Sequence, residues 1–362
     1  MVDAKDIRVL SALTADPLGS YASLGAKAGL SASGLLKRVR DLVKDGFLDE
    51  KYVRAQVAYT ALGLEQVLVM VESKPQFWKL VEDACDAHPY TQFRIRMMGK
   101  VNGFLLMFAI PQNSRQLLLE FIDQLRRVGA ITSFSIHYPI ANWGHSETRF
   151  GYFDPNSKKW SFGWDEWEKW IASTSAELEK APDSVLENLD ETDIKILRLL
   201  SMDAKAERRE IARAVGIADY ELSRRLKALN EGGVFAHYRI IHETAILGIL
   251  MTVVVKCKAS LQYTGRFINS WERLPFQGSV CPLEDGFLLM VNMPPKEVPT
   301  LFTILQRHCD SVDMMWGDYD SSTRYFFDND PSNFSGSKWT DDRRSMVDEP
   351  SKVVQVSREI QA

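Results

Sequence analysis

The side chains best spaced for chemistry in this chain are basic and hydroxylic, and they fall into two groups. The first is Lys27, Ser31, Ser33, Lys37, Arg38 and Arg40; the second is Arg208, Arg209, Tyr220, Ser223, Arg224, Arg225 and Lys227. Long cations beside short hydroxyls on successive helical turns suit a polyanion, since the cations hold phosphates while Arg forks and hydroxyls meet base edges. A single arginine on a helix is ordinarily a solvated charge. Two basic helices at equivalent places in one chain call for a shared explanation. Covalent and metal chemistry have no comparable support. There is no nucleophile–base pattern, no phosphate-cradling glycine loop and no metal-ligand spacing, so no catalytic residue, metal or cofactor is expected. Cys85, Cys257, Cys281 and Cys309 are scattered without C-x-x-C spacing, which argues against a disulfide framework and a zinc site.

The elements that position these groups come from a long soluble chain. Its 362 residues suggest two to four domains, and 45% hydrophobic with 25% charged residues is a globular composition. The net charge of −4 does not by itself point to nucleic acid, although a binding face need only be basic locally. Apolar runs such as Leu247 to Val255 fall short of the roughly 20 residues of a membrane span. The opening "MVDAKDIRVL" is charged and helix-like rather than a signal peptide, so a cytoplasmic protein with no membrane partner is expected.

The chain repeats itself. "GFLLM" occurs at Gly103 to Met107 and at Gly286 to Met290; "DAKDIRVLSALTAD" from Asp3 resembles "DETDIKILRLLSMD" from Asp190. Ala28 to Phe47 likewise matches Val215 to Val234, and "WGHSETRF" from Trp143 matches "WGDYDSSTRY" from Trp316. The anchors keep their order, which marks a tandem duplication. Within the first unit, Ile7, Leu10 and Leu13 lie at helical spacing, a short second helix ends at Gly29, and Ser31 caps a third that carries Leu35, Val39 and Leu42 and stops at Gly46. "FLDEKYVRAQVAYT" alternates around a charged turn and predicts a small hairpin, completing a winged helix-turn-helix. The pattern then predicts a strand at Val67 to Val71, a helix at Phe77 to Ala87, strands at Thr91 to Met98 and Phe104 to Ile110, a helix at Ser114 to Val128 and a strand at Ile131 to Tyr138. That βαββαβ order is ferredoxin-like, and the second unit repeats it. The fold class is therefore α+β: two tandem units, each a winged helix-turn-helix followed by a ferredoxin-like domain. The expected divisions are 1–60, 64–142, an aromatic connector and linker at 143–188, 189–246, 248–327, and an extension with tail at 328–362.

This order resembles the Lrp/AsnC family of feast-or-famine transcription regulators. The resemblance is carried by "D-x-x-D-I-x-[VI]-L-x-x-L" at Asp3 to Leu13 and Asp190 to Leu200. It is carried also by "G-[LI]-[SA]-x-x-x-[LV]-x-x-R-[VL]-x-x-L-x-x-x-G" at Gly29 to Gly46 and Gly216 to Gly233. It implies a prokaryotic, sequence-specific regulator that binds double-stranded DNA through the basic helices. Ordinary members are single units that dimerise through their ferredoxin-like sheets. Two fused units imply that dimer within one chain, with further homo-oligomers open. The modules differ: Asp219 and Glu221 would repel phosphates at the second reading helix, whereas no acid lies between Ser31 and Arg40. The first is expected to bind DNA more directly, and the second either binds with altered preference or serves mainly as structure. Arg38 and Arg225 are the least certain as contacts, because each has an alternative in bridging to an acid of its own domain. The resemblance also implies a small-molecule effector near the turn before the third strand. The corresponding residues are Gly99, Asn102 and Gly103 in one copy and Glu284, Asp285 and Gly286 in the other; only the second has acids to meet an amino group. The plain alternative is that these are hairpin-turn residues.

Each unit ends in an aromatic segment, Trp143 to Trp170 and Trp316 to Trp339, expected to pack across the sheets and lock the units together rather than to serve a partner. Ile171 to Asn188 reads as a polar, partly helical linker and the tail from Thr340 as disordered. An enzyme of the same fold, a siroheme decarboxylase, is the rival reading, for which His88, Arg94, Arg96 and His137 are the residues to recruit. A structural DNA-organising protein is the third.

Overall fold

In a computed structural model, residues 2–325, 327 and 331–353 are described. The first unit begins with α1 (Ala4–Ala15), α2 (Tyr21–Ala28) and α3 (Ala32–Lys44). Asp3 caps α1 in a reciprocal capping box with Asp6, which gives the D-x-x-D motif its physical meaning: two carboxylates satisfy the free N–H groups of the first turn. Gly29 takes a left-handed turn at φ 68° between α2 and α3. Strand β1 (Leu48–Val57) follows, then β2 (Leu64–Glu72), α4 (Trp78–Ala87), β3 (Thr91–Gly99), β4 (Gly103–Pro111), α5 (Arg115–Arg127) and β5 (Ser133–His137). The connector holds β6 (Gly144–Ser146), β7 (Phe153–Asp154), β8 (Lys159–Trp160) and α6 (Trp164–Ser173). The second unit repeats the order with α7 (Glu191–Met202), α8 (Arg208–Val215), α9 (Asp219–Glu231), β9 (Phe235–His242), β10 (Met251–Lys258), α10 (Leu261–Trp271), β11 (Gly278–Leu283), β12 (Gly286–Met293), α11 (Val298–His308) and β13 (Ser311–Arg324).

The expected wing hairpin is absent from both modules. Instead β1 and β9 run past each other as an antiparallel ribbon, with Val53 opposite Ile240, Arg54 opposite Arg239 and Ala55 opposite Tyr238. The charged residues after Leu48 form a bulge in that ribbon. Each lone strand satisfies its edge with the other unit's strand, which local alternation cannot reveal.

The two ferredoxin-like sheets, β5-β2-β4-β3 and β13-β10-β12-β11, join edge to edge, and β6 adds a ninth strand beside β11. Their helix-free faces pack on one another through Leu105 and Met107 of β4 and Leu288 and Met290 of β12. The alternate residues Phe104 and Leu106, or Phe287 and Leu289, face the helices. Both "GFLLM" strands are thus buried on both faces, which explains their unbroken apolar run.

The modules are exchanged between units. Val9, Leu10 and Leu13 of the first helix-turn-helix share a core with Phe267, Phe287 and Leu305 of the second unit. Ile194, Ile196 and Leu197 of the second share one with Val67, Phe104 and Phe121 of the first. The aromatic segments follow the same exchange and lock the units, as expected. Trp160 and Trp167 donate to the carbonyls of Leu247 (2.9 Å) and Ser270 (3.1 Å), while Trp339 donates to that of Leu62 (2.7 Å). The tail departs from its expected disorder: Arg344–Asp348 forms a π-helical turn whose Met346 and Val347 are buried against the first unit's core. Residues 354–362 lie outside the described residues.

Candidate functional site

The helix-turn-helix surface builds from α2, Gly29 and α3. Ser31 accepts from Gly34 N (3.1 Å) and stands 3.2 Å from Ser33 Oγ, so both hydroxyls sit at the exposed start of α3. Lys37 and Arg40 project from the same helix into solvent, and among the described residues neither meets a carboxylate. Lys27 pairs with Asp16 at 2.7 Å. Arg38 is held elsewhere: it bridges Asp3 (3.0 Å) and Asp6 (2.6 Å), the two acids of the capping box. Its guanidinium is raised above its usual value by hydrogen bonding to Asp6, and the loss of water it suffers there opposes this.

The second module repeats the device with more acid. Arg225 reaches Asp190 (3.0 Å), Asp193 (2.9 Å) and Glu221 (3.1 Å), so it too is a tie between helices rather than a group offered to a ligand. On the exposed face Arg208 is 3.5 Å from Ser223 Oγ, Arg209 lies 3.8 Å from Asp219, Lys227 lies 3.7 Å from Glu231, and Tyr220 is 78% exposed. Arg224 is exposed without an acidic partner among the described residues. No side-chain cap holds α9, and Asp219 and Glu221 occupy its first turn in place of a cap such as Ser31. Acids thus engage three of the second module's cations, Arg209, Arg225 and Lys227, against two of the first's, Lys27 and Arg38.

The expected effector residues stay in their turns. Gly99 N and O exchange hydrogen bonds with the Asn102 side chain at 3.3 Å. A Cβ at Gly103 would collide with the Val71 carbonyl, and one at Gly286 with that of Cys257, at φ 155° and 141°. Asp285 lies 3.8 Å from Lys256, and neither Asp285 nor Glu284 lines the cavities described here. The glycines answer a steric need of the hairpins.

A large space opens elsewhere, between the β1–β9 ribbon and the open end of the sheet pair. It measures about 1280 Å³ and runs into an inner chamber of about 250 Å³; Arg239, Ser279 and Arg324 line both. His237 and Arg239 alternate along β9, His145 comes from β6, and Arg324 from the end of β13. Arg239 pairs with Glu147 at 2.9 Å, which His237 Nε2 approaches at 3.6 Å. The His145 and His237 rings are 4.8 Å apart, with His145 Nδ1 and His237 Nε2 buried and without a hydrogen-bond partner. Burial first, then neighbouring Arg239 and Arg324, push His145 down to about 3, so it is neutral at pH 7. None of these four was singled out by the sequence. His145 and His237 are 92 residues apart; the one local signal is the i, i+2 spacing of His237 and Arg239 on a strand. The residues considered for an enzyme are dispersed. His88 is buried among Tyr90, Phe108 and Phe121, Arg94 pairs with Asp86 and Arg96 with Glu82, and His137 contacts Ser135. Among the described residues no group of three or more His, Cys, Asp or Glu could hold a metal ion, and no helix is long and apolar enough to cross a membrane.

Comparison with known proteins fits this geometry. Residues 2–49 match the winged helix-turn-helix DNA-binding family and residues 189–230 the AsnC-type helix-turn-helix domain. The class is therefore a tandem winged helix-turn-helix and ferredoxin-like chain. Part of the chain is homologous to Lrp/AsnC-family regulators: over 73 residues it is 38% identical to the HTH-type transcriptional regulator FL11 of Pyrococcus horikoshii, and over 74 residues 36% identical to that of Pyrococcus abyssi. Each match covers 20% of this chain and 48% or 49% of the relative, so the chain spans about half the length of the curated relatives it matches. The siroheme decarboxylase NirDL has a similar fold, with a TM-score of 0.55 over 97% of this chain and 98% of that one, at 13% identity.

Proposed function

We propose that this chain is a cytoplasmic transcription regulator of the Lrp/AsnC type that binds double-stranded DNA as a pseudo-dimer built within one polypeptide. The observation that carries this is the outer face of α3, where Lys37 and Arg40 stand exposed beside the hydroxyls of Ser31 and Ser33 with no acid to neutralise them. The exchange of modules supports it: each helix-turn-helix shares a core with the opposite unit, and the two are joined through the β1–β9 ribbon. The first module makes the stronger contacts, because the first turn of α9 carries Asp219 and Glu221 whereas that of α3 carries no acid. The test is a gel shift and footprint on the DNA upstream of its own coding sequence, at stated salt. Absence of a shift at low salt overturns the reading.

The second reading is a tetrapyrrole decarboxylase. Two observations favour it: the likeness of fold to NirDL along nearly the whole chain, and a cavity containing histidines and arginines. The charges weigh against it, since Arg239 and Arg115 are already paired, with Glu147 and Glu65, whereas a macrocycle with many carboxylates needs many free cations. A coloured tetrapyrrole-bound preparation that converts siroheme would establish the enzyme instead.

A further inference from the structure

The duplicated units close against each other along two seams, and the seams are not alike. In each unit the chain crosses, after its last ferredoxin-like strand, to the edge of the other unit's sheet. In the second unit it does so along one continuous strand: β13 pairs with β10 as far as Gly317 and with β3 from Met315 to Arg324, with a bulge between Asp318 and Thr323. In the first unit the crossing is broken. Strand β5 ends at His137, Pro139 lacks the N–H a ladder needs, Ile140 N donates once to the Pro282 carbonyl of β11 (3.1 Å), and a regular ladder with β11 begins at Gly144. Tyr138 to Trp143 therefore form the rim of the large cavity rather than a strand. The linker from Glu179 to Ser184 lies along the same rim, tied down by Asn142 N to Glu179 O (2.8 Å) and Val185 N to Ala61 O (2.9 Å).

Inside stands a cation without a close ion pair: the Arg324 guanidinium lies 4.9 Å above the Phe93 ring, and among the described residues no carboxylate comes within ion-pair distance and no hydrogen bond engages it. Burial first, then the nearby Arg239, lower it from its ordinary value to about 10, with Tyr59, Glu147 and Tyr319 opposing. A partly buried guanidinium without a close ion pair is costly to keep in a fold, and an anion in the cavity would satisfy it. Its counterpart in the repeated "WG…TR" motif, Arg149, is exposed and donates to the Glu272 carbonyl (2.8 Å). The duplication thus leaves one such cavity arginine. Around it, Phe93, Ile95, Met107, Met290 and Trp143 supply apolar surface, and the unused nitrogens of His145 and His237 offer neutral hydrogen bonds.

The geometry points to a binding site, one per chain, for a carboxylic acid that carries a single negative charge on an apolar or aromatic body larger than an amino acid. Arg324 pairs with the carboxylate, and the apolar wall takes the body. The volume is at or above the roughly 300–1,000 Å³ usual for small-molecule sites. One free cation fits one charge. The roof of the cavity is the β1–β9 ribbon, through Val57, His237 and Arg239, so an occupant touches the element from which both helix-turn-helix modules hang. That coupling rests on the DNA-binding reading; occupancy of the site does not.

The test uses the full chain and calorimetric titration with 2-naphthoate, its neutral isostere 2-naphthamide, and uroporphyrin III. Wild type is expected to bind the acid at least roughly tenfold more tightly than the amide. Arg324→Met should lose that preference while its ligand-free melting temperature stays level or rises, because a partly buried guanidinium without a close ion pair has been removed. Arg324→Lys should keep a weakened preference for the acid, and it carries the test should Arg324→Met not fold. The proposal is overturned by wild type that binds neither naphthyl compound, or by an acid preference that survives in Arg324→Met. Tighter binding of uroporphyrin III than of 2-naphthoate also overturns the single-charge assignment. A failed gel shift would leave these results standing, and the reverse holds too.

Discussion

The two crossings between units start from matching sequence and end differently. "WGDYDSSTRY" continues a strand that zips β3 to β13, whereas "WGHSETRF" follows Pro139 and joins β11 over only three residues. One seam became a long bulged ladder whose far end lines the inner chamber, and the other the rim of the cavity. The reading helices diverged in the same way: α3 keeps a serine cap and open cations, and α9 has acids in its first turn. Duplication within one chain releases the copies from symmetry. A homodimer would carry the same change twice; here each half can be altered alone, so the scaffold persists while the sites differ.

The largest effect that can break this comparison comes from the exchanged tryptophans. Trp167→Ala and Trp339→Ala each remove a buried indole and its carbonyl hydrogen bond, and each should cost about 3–5 kcal/mol in denaturant unfolding. Because each indole packs on the other unit's core, either loss should loosen both units together; a separate transition for one unit would contradict the exchange.

Acid should act next, through buried imidazoles. His88 is held down at about 3 by burial, His145 likewise at about 3, and His137 at about 4. The unfolded chain takes up protons near the ordinary value of 6.5 while the folded chain refuses them. Stability is therefore complete above about 6.5 and falls as the pH drops from there toward 4, a trend that denaturant midpoints along a pH series will report. His145→Asn, at the open seam, should flatten part of that decline; an unaltered slope would mean the seam histidines stay neutral in neither state.

The cap-tying arginines give a smaller, graded contrast. Arg225→Ala strands three acids, including buried Asp193, whereas Arg38→Ala strands two. Losses of about 1–3 kcal/mol are expected, larger at Arg225, by thermal or chemical unfolding. A DNA-binding defect without loss of stability would return these residues to the DNA-contacting set.

The smallest energetic change but the sharpest functional one concerns the reading helices. Lys37→Ala with Arg40→Ala should lower the slope of log affinity against log salt by about 1.8, two phosphates at roughly 0.9 each. Arg224→Ala with Lys227→Ala should lower it less, since Lys227 already has Glu231 beside it. Equal slopes for the two pairs would remove the asymmetry proposed for the modules.

Much of the scaffold was legible in the residues. Helical spacing at Ile7, Leu10 and Leu13, the Asp3–Asp6 capping pair and the glycines after α2 and α8 act within a few residues, and such local signals survive in any fold that contains them. The continuous apolar runs of "GFLLM" marked strands buried on both faces. The alternation after Phe47 was misread as a hairpin because it records only that a strand has a covered edge and an open face, not which chain segment covers it. The tail was misread for a similar reason: Met346 and Val347 are only two apolar residues among charges, enough to dock on α5 but too few to predict order.

By itself, then, the sequence determined a doubled unit, the elements of each copy and the polar faces of the two reading helices, all consequences of periodicity and capping. Only the tertiary structure decided that the modules change partners, that Arg38 and Arg225 are consumed by their own caps, and that His145, His237, Arg239 and Arg324 meet in one space. Those outcomes depend on which edges pair across long separations. One crossing contains Pro139 and the other no proline, and nothing in the neighbouring residues records which strand each edge will meet.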